Sequence, residues 1–432
     1  MKRFLAVPLL LLALIAPVQG SDVLRIEITE GVVGAAPIAV VPFAWEGRGQ
    51  APEAVAGIIE ANLARSGRFS PLDGRQFPQQ PSSPNDVNFR RWREAGVDHV
   101  LVGRYGPASG GGYEVRFHLL DVLRESQIAA YRIPAPEAGL RRAAHRVSDI
   151  VYEAILDEPG AFDTRIAYIL AAQDDGRPEY RLMIADSDGY NARPILVSRQ
   201  PLMSPAWSPD GRRLAYVSFE GRRSQVMVQD LGSGERERVS SRRGINGAPA
   251  WSPDGRRLAL ALSEGGNVDI YVMDMDSRDL RRITRDSAIN TEPSWSPDGR
   301  QLAFTSDRGG PPQIYTYDFE KNEIRRLTFE GRYNARPRFS PDGETLAVVH
   351  GRDGRFTIAA VDLRGGGVRI LSGGPLDESP DFSPNGAMII HASRRGDRGE
   401  LATVSVDGQV RQRLSMAEGQ VREPAWSPLR SR

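Results

Sequence analysis

The stretch Trp207-Ser208-Pro209-Asp210-Gly211 decides the fold, because five related forms of it follow along the chain. The leading aromatic residues of the six forms are Trp207, Trp251, Trp295, Phe339, Phe382 and Trp426, at intervals of 44, 44, 44, 43 and 44 residues. A period this regular is the signature of repeated supersecondary units, as in propellers, solenoids and arrays. Most of the chain beyond residue 200 is therefore built from copies of one unit.

The residue types of this motif fit a tight turn between two strands. Proline presets φ at the second position of such a turn, aspartate bonds the neighbouring backbone, and glycine adopts the positive φ that closes it. The aromatic residue before the serine is expected to fill the space between neighbouring units, where its burial contributes about 2–3 kcal/mol. We interpret the motif as scaffold, because a catalytic site used once does not need six copies.

The repeated units have the dimensions of propeller blades. Each unit contains one strand that runs into the motif, a Leu-Ala-aromatic strand, a third strand such as residues 270–273, and an Arg-rich fourth such as 281–284. Four strands in about 44 residues are typical of a β-propeller blade.

The two ends of the repeat region give the number of blades. Ahead of the first motif, residues 165–170, 180–185 and 194–198 match a second, third and fourth strand without a first. Residues 421–427 match a first strand with nothing after it. Joined, the two fragments complete one blade. The sequence therefore predicts six blades closed by a C-terminal strand, which removes exposed sheet edges.

Residues 21–158 predict a separate small α/β domain. Apolar residues recur at helical spacing over 52–66, 140–155 and, more weakly, 87–95, and strand patterns lie at 23–28, 38–43, 100–104, 113–120 and 127–133. Helices and strands that alternate in this way indicate a mixed sheet with helices packed on it. The predicted fold class is α+β multidomain: this α/β domain, a boundary at 158–160, and an all-β six-bladed propeller over 164–432.

Residues 1–20 read as a secretory signal peptide. Lys2 and Arg3 precede an apolar run from 4 to 16, and Val18 and Gly20 occupy the small-residue positions before a cut. The run is shorter than the roughly 20 residues that a bilayer span needs. Because the chain has no cysteine and no later apolar segment of that length, the sequence predicts a periplasmic protein without direct membrane insertion.

Charge and motifs argue against several classes of function. The 56 basic and 55 acidic residues nearly cancel, so nothing favours a nucleic-acid partner. Propellers with such motifs also occur beside hydrolase domains, but the chain has no Gly-x-Ser-x-Gly elbow, and its five histidines form no metal-binding pair. The sequence predicts no catalytic residue, no metal and no cofactor.

A candidate binding surface lies opposite the motif turns. The segments just before each first strand share the face away from those turns and converge on the mouth of the central channel, a concave place for a peptide or protein. These segments are 203–204, 246–248, 290–292, 334–336, 377–379 and 422–423. The candidate binding residues among them are Met203, Ser204, Asn246, Ala248, Asn290, Thr291, Glu292, Asn334, Asp377 and Glu378. The alternative, that the polar residues cap turns or line a watery channel, stays open.

Several stretches outside the repeats carry a resemblance to a known family. Residues 37–43 (Pro-Ile-Ala-Val-Val-Pro-Phe), 160–168, 200–207, 246–250 and 290–293 resemble the TolB family, the periplasmic component of the Tol-Pal cell-envelope system of Gram-negative bacteria. The resemblance covers the whole chain after the signal peptide. Many propellers share the motif repeats, whereas the amino-terminal and junction stretches are specific to this family.

The resemblance implies a non-enzymatic adaptor. In that family the propeller binds Pal, the peptidoglycan-associated outer-membrane lipoprotein, on the face described above, and family contact positions fall at Ala248 and Thr291. A family histidine is replaced here by Ile245, an apolar residue that could still pack against a partner. The expected partners are Pal, TolA and further outer-membrane or peptidoglycan-associated proteins, and the chain itself is expected to be a monomer.

The resemblance also implies that the segment from about 21 to 33 binds TolA, by adding a strand or by ordering on the partner. The residues assigned to this contact are Asp22, Val23, Leu24, Arg25, Ile26, Glu27 and Ile28. Their alternation of apolar and polar types is compatible with strand addition. The alternative is a permanent edge strand of the α/β domain, and both hold if the segment switches between docked and released states.

The predicted function is therefore an adaptor that links Pal to TolA in outer-membrane integrity and in constriction at cell division. The alternative is a propeller hydrolase or lactonase with its site at the channel mouth, where Glu292 and Asp377 would surround a cation.

Overall fold

The computed structural model describes residues 25–30, 34–264, 266–396, 398–415 and 419–430. The predicted signal peptide and positions Asp22, Val23 and Leu24 lie outside the described residues. The described part forms a small α/β domain and a six-bladed β-propeller, which confirms the predicted fold class.

The amino-terminal region contains a mixed sheet with helices packed on it. Its elements are, in chain order, β1 (Arg25–Glu30), β2 (Ala36–Val40), β3 (Ala44–Trp45), α1 (Val55–Arg65), β4 (Phe69–Pro71), α2 (Phe89–Glu94), β5 (His99–Pro107), β6 (Tyr113–Asp121), β7 (Ser126–Ala135) and α3 (Leu140–Leu156), with 3₁₀ turns at Gly74–Gln76 and Pro84–Asp86. The sheet order is β4-β2-β5-β6-β7, with β3 also paired to β5. Strand β2 runs parallel to β4 and β5, whereas β5, β6 and β7 are antiparallel.

Helix α3 anchors the core of the α/β domain. Val147 and Val151 on its apolar stripe pack with Ile59 and Leu63 of α1 over Phe117 of β6, and all five side chains are fully buried. Each such burial contributes about 1.5–3 kcal/mol. The apolar residues of this stripe recur at helical spacing, so the sequence pattern that predicts the helix also forms its packing surface.

The propeller strands follow the predicted order. They are β8 (Arg165–Asp174), β9 (Arg177–Asp186) and β10 (Arg193–Ser198); β11 (Leu202–Trp207), β12 (Arg213–Ser218), β13 (Gln225–Asp230) and β14 (Arg236–Ser240); β15 (Asn246–Trp251), β16 (Arg257–Leu262), β17 (Asp269–Asp274) and β18 (Leu280–Arg282); β19 (Asn290–Trp295), β20 (Gln301–Ser306), β21 (Gln313–Asp318) and β22 (Glu323–Arg326); β23 (Tyr333–Phe339), β24 (Thr345–Arg352), β25 (Arg355–Asp362) and β26 (Val368–Ile370); β27 (Asp377–Phe382), β28 (Met388–Arg395), β29 (Arg398–Ser405) and β30 (Arg411–Ser415); and β31 (Gln420–Trp426). The six groups form blades 1 to 6 in this order, and β31 joins blade 1.

The ring closes where the sequence predicts. Strand β31 pairs antiparallel with β8, so the innermost strand of blade 1 comes from the C-terminal end of the propeller. The backbone N–H of Arg165 donates to Ser427 Oγ over 2.9 Å, and the N–H of Ser427 donates to the carbonyl oxygen of Arg165 over 2.8 Å. The two ends of the propeller are therefore joined by a hydrogen-bonded ladder.

The motif turns close through the predicted interactions. In the first copy, Arg212 N–H donates to Asp210 Oδ1 over 3.0 Å and Arg213 N–H donates to Ser208 Oγ over 2.8 Å. Gly211 adopts a φ of +66°. The same bonds recur at 252–257, 296–301 and 340–345. The motif is therefore a local scaffold, as the sequence indicates.

The leading tryptophans fill the seams between blades, as predicted. Trp207 lies between blades 1 and 2, and an arginine of the preceding blade lies over its ring. The three arginine–tryptophan pairs are Arg165 with Trp207, Arg213 with Trp251 and Arg257 with Trp295, with 4.4–4.8 Å between the guanidinium carbon and the ring centroid. Such cation–π contacts contribute about 0.5–2 kcal/mol each. These seams are therefore stabilised by stacking as well as by burial.

The α/β domain contacts the motif face, which is the side of the ring that carries the motif turns and the turns between third and fourth strands. Arg65 donates to Ser187 Oγ over 3.0 Å in the β9–β10 turn, and Asn385 of the blade 6 motif donates to the carbonyl oxygen of Pro159 over 2.9 Å. The domain therefore spans blades 6 and 1. The opposite side, the mouth face, carries the segments that precede each first strand.

Strand β1 does not join the α/β sheet, so the predicted alternative of an edge strand in that domain is wrong. It pairs antiparallel with β30 and makes blade 6 five-stranded, in the order β1-β30-β29-β28-β27. The reason is proximity. Ala36 N–H donates to the carbonyl oxygen of Arg68, and a Cβ added at the adjacent Gly67 would lie 2.1 Å from Val410. The chain therefore enters the domain beside the open edge of blade 6.

Replacing Arg257 with methionine is expected to lower the free energy of unfolding by about 1 kcal/mol, because the variant loses the cation–π contact with Trp295 but keeps an unbranched side chain. Urea titration measures the change. The matched control is Arg300→Met, since Arg300 lies two thirds exposed beside Glu320. Equal destabilisation by both variants would contradict a role for the stacked pair.

Candidate binding surface at the channel mouth

The first strand of every blade carries the same backbone irregularity. The residues concerned adopt φ values of +47° to +56°, and each directly precedes a proline: Ser204, Ala248, Glu292, Arg336, Ser379 and Glu423. At each of them the pairing with the second strand shifts register. A positive φ costs a side-chain-bearing residue roughly 1–2 kcal/mol, and a following proline also disfavours helical values. The ring therefore holds six strained bulges, which line one narrow channel.

Arg336 is the centre of the charge network in this channel. Its Nε donates to Glu292 Oε1 over 2.8 Å, its Nη1 donates to Ser379 Oγ, and its Nη2 lies 4.0 Å from Glu423 Oε1. Burial alone would lower the pKa of Arg336, but the carboxylates of Glu292, Glu423 and Glu378 outweigh it and raise that pKa above its ordinary value. The guanidinium therefore stays charged and fixes the positions of the acidic groups.

A second ion pair connects the channel to the closing strand. Arg338 also lines the channel, and its Nε lies 3.8 Å from Asp381 Oδ1. The other oxygen of Asp381 accepts a hydrogen bond from Trp426 N–H over 2.7 Å. Burial raises the pKa of Asp381 to about 6, although Arg338 and this hydrogen bond act to lower it.

Four of the candidate residues stand at the start of the first strands, where their side chains are buried against the connections between blades. Asn246, Asn290, Asn334 and Asp377 are at most 1% exposed. Asn246 shows the pattern, since its Oδ1 accepts from Arg242 N–H over 2.8 Å and its Nδ2 donates to the carbonyl oxygen of the same residue over 2.7 Å. These four side chains hold the connections in shape, which is the role that the capping alternative gives them.

The mouth face also carries exposed apolar side chains, which stand beside exposed charged residues of the same connections. We call them the apolar arc, which consists of Met203, Ile245, Ile289 and Phe329, and these are 39%, 50%, 54% and 72% exposed. Met203 lies in the first strand of blade 2, and the other three stand in the connections that lead into blades 3, 4 and 5. The remaining candidates, Ser204, Ala248, Thr291, Glu292 and Glu378, are half-buried. The structure therefore brings an apolar rim and a charged channel together on one face.

Sequence reasoning did not find Ile289, Phe329, Arg338 or Asp381. Ile289 stands 44 residues after Ile245, so the repeat could have indicated it. The channel residues had a signal as well, because a proline stands two residues before the leading aromatic residue in all six copies. Phe329 follows no such pattern.

The carboxylates invoked for a channel-mouth enzyme do not share a site. Glu292 lines the channel, where Thr305 and Arg336 bond its oxygens. Asp377 lies in a separate cleft of about 490 Å³ on blade 6, where Ser393 donates to it over 2.6 Å. The pair cannot surround one cation.

A further polar cluster lies between the two domains. The ligand atoms of His145, Asp186 and Asp188 all lie within 4.8 Å of one another. His145 Nδ1 accepts a hydrogen bond from Asn62 over 2.9 Å, and its Nε2 faces Asp188 over 3.5 Å. Burial lowers the pKa of His145 to about 3, and Arg141 already pairs with Asp188. The cluster is therefore an interdomain contact with a neutral imidazole and not a built metal centre.

Comparison with known proteins gives a consistent result. Residues 24–128 match the TolB amino-terminal domain, and residues 152–430 match the TolB beta propeller domain. A Tol-Pal system protein TolB from Thioalkalivibrio sulfidiphilus is 62% identical over 98% of this chain and 97% of its own length. Another from Methylococcus capsulatus is 63% identical over 96% and 97%. The crystal structure of TolB from Acinetobacter baumannii is 42% identical, covers 94% of this chain and all of that chain, and superposes with a TM-score of 0.88.

The fold and these relatives define a non-enzymatic β-propeller component of the bacterial cell envelope. The chain belongs to the TolB family of the Tol-Pal system. Among the residues that the structure describes, we find no helix with the length and apolar character needed to cross a membrane.

The channel should make stability depend on pH. The pKa of Asp381 is about 6 in the folded protein and about 4 in an unfolded chain, so the folded state holds the proton more tightly. The resulting stabilisation is complete below about pH 4 and is lost as the pH rises through about 6. The test compares the parent protein with the Asp381→Asn variant by urea titration at each pH. The free energy of unfolding of the parent minus that of the variant should fall by up to about 3 kcal/mol between about pH 4 and pH 7. A difference that does not change with pH would contradict this.

Proposed function

We propose that the protein is a periplasmic adaptor that binds Pal at the mouth face and TolA through its amino-terminal segment. By linking the two it supports outer-membrane integrity and constriction at cell division. Membership of the TolB family supports a role in the Tol-Pal system. The observation that carries the Pal site is the apolar arc on the mouth face, opposite the face that the α/β domain contacts.

The mouth face has the composition of a protein-binding surface. Contiguous exposed apolar side chains rimmed by polar groups mark interaction sites. Ile245 and Ala248 lead into blade 3, and Ile289 and Thr291 lead into the adjacent blade 4. A partner that covers the two isoleucines therefore also meets the two family contact positions. The buried asparagines beneath them keep the connections in place, so binding requires little ordering.

The amino-terminal segment is proposed to bind TolA by exchanging one strand partner for another. In the structure β1 occupies the open edge of blade 6 through main-chain pairing. Such pairing depends little on side-chain identity, so an edge strand of another protein can compete for the same segment. The docked and released states of the segment then differ by the hydrogen-bonded ladder between β1 and β30.

The docked strand lies beside the contact between the two domains. Strand β30, which pairs with β1, also carries Gln412, whose side chain donates to the carbonyl oxygen of Arg65 at the end of α1. Release of β1 frees one side of β30 while the other contacts remain. This arrangement supports a coupling between the release of the amino-terminal segment and the contact between the two domains. If Pal and TolA binding are coupled in this way, thermodynamic linkage requires that each partner change the affinity for the other by the same factor.

Replacing Thr291 or Ala248 with arginine is expected to weaken Pal binding at least tenfold, because a long charged side chain would separate the partner from the apolar arc. Isothermal titration calorimetry with Pal from the same organism measures the affinity. Ser277→Arg is the matched control, since it adds the same charge at an exposed turn on the motif face. Unchanged affinity in both mouth-face variants would show that the proposed face is wrong.

A disulfide that locks β1 in place should abolish TolA binding. Glu27 and Arg413 are direct cross-strand partners, and the chain has no native cysteine, so Glu27→Cys with Arg413→Cys gives one defined bond. We expect the oxidised double variant to lose binding in a pull-down with TolA and the reduced form to regain it. Arg413→Cys alone is the control. If the oxidised protein retains TolA, release of the segment is not required.

A further inference from the structure

The sheet of the α/β domain ends in a long open edge. Strand β7 has ten residues, pairs with β6 on one side, and has no strand on its other side among the described residues. The open outer strands of blades 1 to 5 are shorter, with three to six residues each. An uncovered ladder of N–H and C=O groups is the feature to which a strand-adding partner binds.

Two irregularities define the usable part of this edge. A bulge leaves Ile128 unpaired near its start, and Pro134 stands near its end. Proline within a strand is tolerated where its nitrogen points away from the ladder. The backbone nitrogen and carbonyl of Pro134 therefore point outward from the sheet edge. Because backbone groups alternate sides along an antiparallel strand, those of Ala130 and Arg132 also face outward. The edge therefore offers two N–H donors and three carbonyl acceptors.

A groove of about 730 Å³ runs beside this edge, between β7, the outer face of α3 and Leu429. Its accessible apolar side chains are Tyr131, Leu429 and Ile128, which are 53%, 44% and 38% exposed. A neighbouring chain would therefore meet apolar surface as well as free backbone groups.

The charges of the groove favour an acidic occupant. Arg132 and Arg146 line it and have no ion pair or hydrogen bond with any described residue. The acidic residues of the lining are already engaged: Asp163 pairs with Arg142 and with Arg430, Asp149 accepts from two backbone N–H groups, and Glu153 has a partner of its own. The guanidinium groups of Arg132 and Arg146 are therefore available to pair with carboxylates of a bound partner.

The same charges argue against a second copy of the chain. Antiparallel pairing of two β7 edges about a twofold axis would bring Arg132 and Arg146 of each copy towards those of the other. Like charges across paired strands destabilise the pairing.

We propose that residues 128–134, together with Arg146 and Leu429, form a site that binds an extended acidic peptide segment of another protein by strand addition. The backbone of Ala130 and Arg132 holds the added strand. Neighbouring carboxylates on the peptide point to opposite sides of it, where one meets Arg132 and the next meets Arg146. This site lies apart from the mouth face and from β1, so it stands independently of the proposed Pal and TolA contacts.

A synthetic peptide tests the site directly. The probe is fluorescein-labelled Gly-Thr-Val-Glu-Asp-Val-Thr-Val-Gly, titrated with the full protein and followed by fluorescence anisotropy. We expect saturable binding of this peptide. Binding should be at least about tenfold weaker for a peptide with lysines in place of the two acidic residues, and also for a peptide with proline in place of the valine that follows the aspartate. No saturation by about 1 mM protein, or equal affinity of the acidic and lysine peptides, would overturn the proposal.

Protein variants locate the binding. Arg132→Glu with Arg146→Glu is expected to weaken binding about tenfold. Arg223→Glu with Arg243→Glu, which makes the same charge change at exposed positions of the propeller, is expected to leave it unchanged. An equal loss in both double variants would show attraction to overall charge and would overturn the site.

A backbone variant separates strand addition from charge attraction. Ala130→Pro removes an outward N–H that β6 does not use, so binding should be lost while the thermal unfolding midpoint stays close to that of the parent protein. The NMR resonances of the backbone amides show both whether the variant is folded and where the peptide binds. In the parent protein the peptide should shift the resonances of residues 129–133. Peptide binding that survives in a folded Ala130→Pro variant would overturn strand addition.

Discussion

The pairing of β31 with β8 holds the ring closed, and the geometry of the other parts depends on it. Without this ladder blade 1 would keep an open inner edge, and the six first strands would not surround a channel. The channel groups also reinforce the closure, because Asp381 binds the backbone of Trp426 in the closing strand. Arg338 faces the same carboxylate, so the charge network and the ladder stabilise one another.

The strained bulges show how a repeated scaffold creates a specific surface. Each bulge turns one residue of a first strand towards the axis, and the proline after it is the same in every blade. The backbone is thus repeated while the side chains are not. Alanine, serine, glutamate and arginine occupy equivalent positions, so a ring with near-sixfold backbone symmetry carries an asymmetric set of charges. The charge distribution along the channel is therefore set largely by six single residues on a common backbone frame.

Sequence reasoning predicted the blade number, the closing strand and the helices well, because these depend on periodicity and on turn chemistry that a motif such as 207–211 contains locally. It assigned the candidate site to residues at the start of the first strands but could not say which of their side chains are accessible. Asn246 and Ile245 are neighbours in the chain, yet one is buried by bonds to its own loop and the other is half exposed. The position of β1 was also beyond reach, because its partner β30 lies in a blade about 380 residues further along the chain that only the folded structure brings beside the α/β domain.

The closing strand has a consequence for the order in which the molecule folds. Blades 2 to 5 and four of the five strands of blade 6 can each form from contiguous sequence, but blade 1 must wait for residues 420–426, which lie about 220 residues after β10. During that interval β8 presents an unpaired edge. The α/β domain is complete by then and contacts blade 1 through Ser187, so it is positioned to hold the unfinished blade in its native place. The interdomain contact thus joins the α/β domain to the blade that is built from both ends of the propeller sequence.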